Sequence, residues 1–184
     1  KEAEKFVIAD NEVDSVETAL AGARDIIAEW ISEDSQARAH IRSLYQKKGQ
    51  CTSKVMPGKD EEAKKYKKYY DWAERVAKAP SHRGLAMRRG AKEKFLVFRV
   101  TVDEDQALSI LDSQFIKTEN AAAKQVKLAI IDSYKRLIML SMETEIRLES
   151  KKKADEEAIR VFVENVRQLL LSPPLGEKNI LAIG

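Results

Sequence analysis

Glycine and proline are scarce in this 184-residue chain, seven and four in all, and neither occurs between Ser141 and Leu171. In a helix interior glycine is about 1 kcal/mol and proline about 3 kcal/mol worse than alanine, so that stretch is free to form one helix. A single cysteine, Cys51, excludes an internal disulfide and any multi-cysteine zinc site, and it fits a reducing compartment, the cytoplasm. The two histidines, His40 and His82, lack the spacing of a zinc motif, and there is no glycine-rich phosphate loop. No cofactor and no metal are therefore expected. With 30 carboxylates, acid–base pairs arise by chance, and no catalytic set rises above that background. A run of about 18 apolar residues is also missing, which excludes a membrane-spanning helix.

Charge and aliphatic side chains are what the chain has in quantity. Charged residues make up 34% and hydrophobic ones 43%, the profile of a helix-rich globular protein. The formal net charge of +3 is unevenly spread: residues 1–46 hold 5 basic and 10 acidic side chains, and residues 47–94 hold 15 and 6. Positive charge gathered in one quarter of a chain is an argument about partners rather than about fold.

The organising stretch is Ser141–Leu171, rich in good helix formers and closed by Pro173-Pro174. At about 1.5 Å per residue it is a rod of roughly 45 Å. Met142, Ile146, Ala158, Phe162, Val166 and Leu169 recur at helical spacing, and Ile159, Val161, Val163, Leu170 and Leu171 widen the stripe towards the end. A helix apolar on most sides is a buried one. The rod is thus expected to begin exposed and charged and to end buried. The fold class is mainly α: a multi-helical domain around a central helix at about 141–171, with a minor β element near 94–102.

Residues 1–9 read as the tail of an earlier helix. Asp14 with Glu17 has capping-box spacing and opens a helix with Val16, Leu20, Ala23, Ile27 and Trp30 on one face. Ser32 is the expected cap of a second helix near 33–48, with Ile41, Leu44 and Tyr45 inward and Gly49 as its stop. Gln50–Met56 is extended in character, and Pro57-Gly58 signals a turn. From Asp60 to about Lys78 the pattern predicts a helix with an inward stripe of Tyr66, Tyr69, Tyr70 and Ala73. Ser81 is expected to cap a short helix reaching about Gly90. Phe95–Val102 alternates as a strand, with Cys51–Val55 as its expected partner. Asp103 with Gln106 opens a helix holding Leu108, Leu111 and Phe115, and a further helix runs through Val126, Ile130, Tyr134 and Ile138 to the rod. The chain divides into a helical, helix-turn-helix-like region at 1–92 with a basic second half, a strand-and-helix region at 93–176, and a strand-like end at 177–184.

The candidate binding residues lie in the basic quarter. Arg83, Arg88, Arg89 and Lys92 fall in one short segment, and Lys64 and Lys68 precede them among tyrosines. Guanidiniums and a helix start at Ser81 suit phosphate oxygens. The same side chains equally suit an ordinary basic surface, or ion pairs with the acidic residues of 1–46. Lysines interleaved with Tyr66, Tyr69, Tyr70 and Trp72 fit either phosphate contact with base stacking or a solvated face backing a core stripe. Contacts to phosphates would position a strand without reading its bases. Two functions follow: a non-enzymatic nucleic-acid-binding scaffold, or a protein-interaction scaffold without nucleic-acid contact.

Five strings in order carry a family resemblance: residues 19–29 (Ala19-Leu20-Ala21-Gly22-Ala23-Arg24 onward), Thr52-Ser53-Lys54-Val55, residues 81–90, Asp132-Ser133-Tyr134-Lys135-Arg136-Leu137, and residues 163–176, ending Ser172-Pro173-Pro174-Leu175-Gly176. They resemble the Tex family of bacterial transcription accessory proteins, whose core is similar to a eukaryotic transcription elongation factor. The resemblance implies the helical amino-terminal and central region of such a protein. In the family a ribonuclease-H-like domain, helix-hairpin-helix elements and an RNA-binding OB-fold domain follow, and Ile180–Ile183 resembles the first strand of the first of these. It implies nucleic acid as a partner, RNA or DNA without sequence preference, along with RNA polymerase or other transcription proteins and the downstream domains. A proline common in the family at the position of Leu140 implies a break between helices near Ser141, but this chain has leucine there, so a break and a continuous helix both stay open.

Overall fold

Short elements gather along one long helical run. The computed structural model describes residues 3–7, 13, 15–174, 176 and 181. A 3-10 turn at Ala3–Phe6 precedes helices α1 (Val16–Glu33) and α2 (Ser35–Lys48), joined by Asp34 alone. Asp34 has the extended backbone an N-cap requires, and its Oδ1 accepts from the Ala37 N–H at 2.7 Å. The cap of α2 is therefore Asp34 and not Ser32, which is still inside α1 and donates back to the Glu29 carbonyl. Likewise Ser15 caps α1 by accepting from the Thr18 N–H at 3.2 Å, while Asp14 and Ile8 lie outside the described residues. The inward face of α1 is also turned from expectation. Ala28 and Ile31 are buried, whereas Trp30 is 68% exposed. In α2, Ile41, Leu44 and Tyr45 are buried and Gly49 ends the helix, as its spacing predicts.

Three antiparallel strands follow, β1 (Gln50–Val55), β2 (Asp71–Arg75) and β3 (Leu96–Thr101), in the order β2-β1-β3. The expected pairing of β1 with β3 is present, with Cys51 opposite Val100 and Ser53 opposite Phe98. Leu96, Phe98 and Val100 are buried while Val97, Arg99 and Thr101 face out, the period of two that the sequence displays.

Between β1 and β3 the structure departs from the predicted helix at 60–78. Lys64–Tyr69 is a 3-10 helix and Asp71–Arg75 is strand β2. The spacing of Tyr66 and Tyr69 suits a 3-10 helix as well as an α-helix, and β1 offers an open edge that turns the remainder into a strand. Tyr66 is buried and Tyr69 packs against the core, but Ala73 stands exposed on β2.

Helices α3 (Ser81–Lys92), α4 (Glu104–Phe115) and α5 (Ala121–Asp132) complete the smaller elements. Asp103 caps α4 by accepting from the Gln106 N–H at 2.9 Å. The Gln106 amide does not return the bond; its Oε1 accepts from Lys48 Nζ at 2.7 Å. A π-helical stretch, Ser133–Ile138, then joins α5 directly to α6 (Met139–Leu170). The central helix is thus present, and it starts earlier than expected with no break at Ser141. Leu140 keeps the N–H that a proline would lack. The irregularity lies instead at the π turn, where Ser133 Oγ donates to the Ala28 carbonyl of α1 at 2.7 Å.

The burial of α6 is the reverse of the sequence expectation. Met142, Glu143, Ile146 and Ala154 are buried, all in its first half, while Phe162 is 67% and Leu170 79% exposed. The sheet, α2 and α3 pack on the first half, and the broad apolar stripe of the second half has no cover within the described residues. Ile41, Phe98, Leu111, Ile130, Tyr134 and Met142 belong to one core fed by helices and sheet alike. The protein is therefore mainly α, organised around a long central helix, with a minor antiparallel sheet.

Candidate nucleic-acid interface

The basic quarter is held in place by α3 and the 3-10 helix. Gly90 lets them close on β3: a Cβ there would stand 2.6 Å from Leu96 Cδ1 and 3.3 Å from Tyr66 Cδ1. At the C-terminus of α3 the Phe95 N–H reaches the Gly90 carbonyl at 2.9 Å, and the Lys94 N–H reaches the Ala91 carbonyl at 3.1 Å. These are the paired bonds of a Schellman ending. Its left-handed position, where glycine is the usual residue, is filled by Lys94 at φ 61°.

The six cations read from the sequence part company here. Arg89 and Lys92, three residues apart on α3, share one outer edge, are exposed, and form no ion pair among the described residues. Lys68 is likewise exposed and unpaired, and Lys64 pairs with Glu61 at 2.5 Å on an open surface. Arg83, nine residues before Lys92 and so on the opposite side of the helix, reaches Glu74 of β2 at 3.5 Å. Arg88 turns inward. Its Nη2 donates to the Arg147 carbonyl at 3.0 Å and to Ser150 Oγ at 2.6 Å, and its guanidinium lies 4.9 Å from the Phe98 ring centre. Burial pulls the Arg88 pKa below its ordinary value, and neighbouring Arg147 adds to this. The helix start at Ser81 is engaged too, since its hydroxyl bonds the Glu157 carboxylate. Ser81 is the first residue of α3, not its cap: Pro80 holds that position without a side-chain bond.

Lys65 and Glu93 tie the 3-10 helix to the end of α3, with Nζ and Oε2 at 2.6 Å. The hydrogen bond from Lys65 holds the Glu93 carboxyl below its usual range, with a bond from Tyr66 and the charge of Arg89 acting the same way. Arg89 therefore stands in the field of this pair. In a 3-10 helix residues three apart eclipse, so Lys68 lies over Lys65 and on the same side as the α3 ending. The Lys65–Glu93 pair thus joins the two elements that carry the exposed cations, Lys68 on the 3-10 helix and Arg89, Lys92 and Lys94 at the end of α3. Lys94 belongs to the same basic run in sequence, though not to the six candidates, and its left-handed backbone has no local signal because the residue there is not glycine.

A concavity of about 920 Å³ runs between α3 and α6. Leu85, Val161 and Phe162 give it an apolar wall, with Lys78, Lys153, Glu149 and Glu157 around it. Cys51 lies at its floor, where burial pushes the thiol up to about 11, so it is a protonated packing group near neutral pH. Among the described residues no three His, Cys, Asp or Glu side chains gather as a metal site, and no helix is long and apolar enough to cross a membrane.

Fold and surface together define a helical scaffold with an exposed cationic edge. The chain belongs to the Tex central region-like family, which matches it over residues 1–162. It is similar to YdcI of Bacillus subtilis (39% identity over 98% of this chain and 26% of that protein) and to YhgF of Escherichia coli (33%, over 95% and 24%). It is also similar to the transcriptional accessory protein Tex of Neisseria gonorrhoeae (31%, over 93% and 23%). The chain spans about a quarter of the length of these curated relatives.

Proposed function

We propose that this chain is a non-catalytic scaffold of a transcription accessory protein, holding nucleic-acid phosphates on the edge formed by Arg89, Lys92, Lys94 and Lys68. Lys64, paired with Glu61, and Arg83, paired with Glu74 on the other side of α3, lie outside it, and Arg88 serves to seat α3 against α6. The observation that carries this reading is that Arg89, Lys92 and Lys68 are exposed and, among the described residues, without ion-pair partners. The C-terminus of a helix is the negative end of its dipole, so the side chains must supply the attraction themselves. The name of the gonococcal relative supports the transcription role.

Lysine footprinting tests the proposal. Acetylation of the chain, read by mass spectrometry with and without a mixed-sequence nucleic acid, should protect Lys68, Lys92 and Lys94. Lys127 and Lys135 on the α5–α6 run, paired with Asp112 and Glu104, should be unaffected. Equal labelling of all five with nucleic acid present would refute it.

A second reading concerns another surface. Ile159, Phe162, Val163, Leu169 and Leu170 are each more than half exposed along α6. Large apolar side chains exposed along one face of a helix suit a protein-docking surface, and in this reading the same helix seats further polypeptide. This reading stands alone if the footprint is negative.

A further inference from the structure

We propose that the polyanion held on the Lys68–Arg89–Lys92–Lys94 edge is a double helix rather than a single strand; this rests on the phosphate reading above. Proteins that hold single strands without sequence preference combine cations with exposed aromatic rings on which successive bases stack. No aromatic ring of the basic quarter stands fully exposed. Tyr66 is 6% exposed and packs on Phe95 with ring centres 6.1 Å apart. Phe98 is buried under the guanidiniums of Arg88 and Arg147, at 4.9 and 5.5 Å. Tyr69 and Trp72 pack against the core, and the Tyr70 hydroxyl bonds the Asp60 carbonyl.

Tyr69, Tyr70, Trp72 and Phe95 are half-buried, and the fully exposed side chains on this edge are cations: Lys68, Arg89, Lys92 and Lys94. A surface that attracts through charge alone favours the ligand with the densest charge, and a duplex presents one negative charge per roughly 1.7 Å of axis. Two described aromatic rings are exposed, and neither is in the basic quarter: Trp30 is on α1, and Phe162 lines the groove that also holds Glu149 and Glu157. Since Lys78 and Lys153 share that groove, Phe162 is the ring that a single strand would have to use.

The experiment compares the chain's affinity for a labelled mixed-sequence duplex of about 20 base pairs with that for one of its strands alone, as DNA and as RNA, by fluorescence anisotropy at low salt. The duplex should bind on the order of tenfold tighter than the strand. Phe162→Ala should leave duplex affinity unchanged, and the double variant R89E/K92E should lose it. Thermal melts check folding, which these exposed side chains leave intact. A strand that binds as tightly as the duplex, or strand binding that is the stronger and falls with Phe162→Ala, overturns the proposal while the phosphate reading survives. Binding of neither ligand, or unchanged binding by R89E/K92E, overturns both.

Discussion

Single residues on this surface show a conflict between comfort and charge. Lys94 sits in the left-handed region at φ 61°, which an L-residue enters at a cost of about 1–2 kcal/mol. Glycine there would remove that strain and give back part of it as extra freedom of the unfolded chain. Lys94→Gly should therefore stabilise the chain by about 0.5–1 kcal/mol, measured by urea denaturation, and weaken nucleic-acid binding. Greater stability with undiminished binding would mean the lysine has no part in the edge. Arg88 shows the opposite case, a cation withdrawn from the surface. In sequence it cannot be told from Arg89, because adjacent helix positions are about 100° apart and only the docking of α3 decides which faces α6.

At the scale of elements, α2 and α6 run side by side in the same direction and meet at one turn's interval. Arg38 reaches Ser141 at 3.4 Å, Arg42 holds both oxygens of Glu145, and Gln46 reaches Glu149 at 3.2 Å. The hydrogen bond from Arg42, with the charges of Arg42 and Arg38, keeps the Glu145 carboxyl below its ordinary value of 4.5. A depressed carboxyl pKa contributes stability that is fully present above the unfolded value and is lost as pH falls through the folded one. Stability should thus fall as pH drops below about 4.5. Glu145→Gln should be less stable than the parent at neutral pH and lose less on acidification. Parallel pH–stability curves for parent and variant would remove Glu145 from the acid response. The ladder was invisible in sequence because the partners stand 103 residues apart, whereas Ile41, Leu44 and Tyr45 were readable from local spacing alone. β2 was hidden for a related reason. Asp71–Arg75 has little strand character of its own, and the neighbouring strand makes it one.

For the whole molecule, periodicity revealed the central helix and the alternating strand, but it could not say which half of the helix this chain covers. Apolar breadth at residues 159–171 is a demand for burial, and the other elements pack on the first half instead. The candidate site was legible as a region and only partly as residues: Arg89, Lys92 and Lys68 lie on the edge, Arg83 and Arg88 face other partners, and Lys94 comes from the turn. What the molecule then presents is a helix end whose cations have no ion-pair partner among the described residues, with exposed apolar side chains farther along α6. The measurement that tests this most directly is the slope of log K against log salt for duplex binding by the parent and by R89E/K92E. Removing two phosphate contacts should reduce the slope by about two and bring the affinities of parent and variant closer at high salt. An identical slope in both proteins would contradict the account.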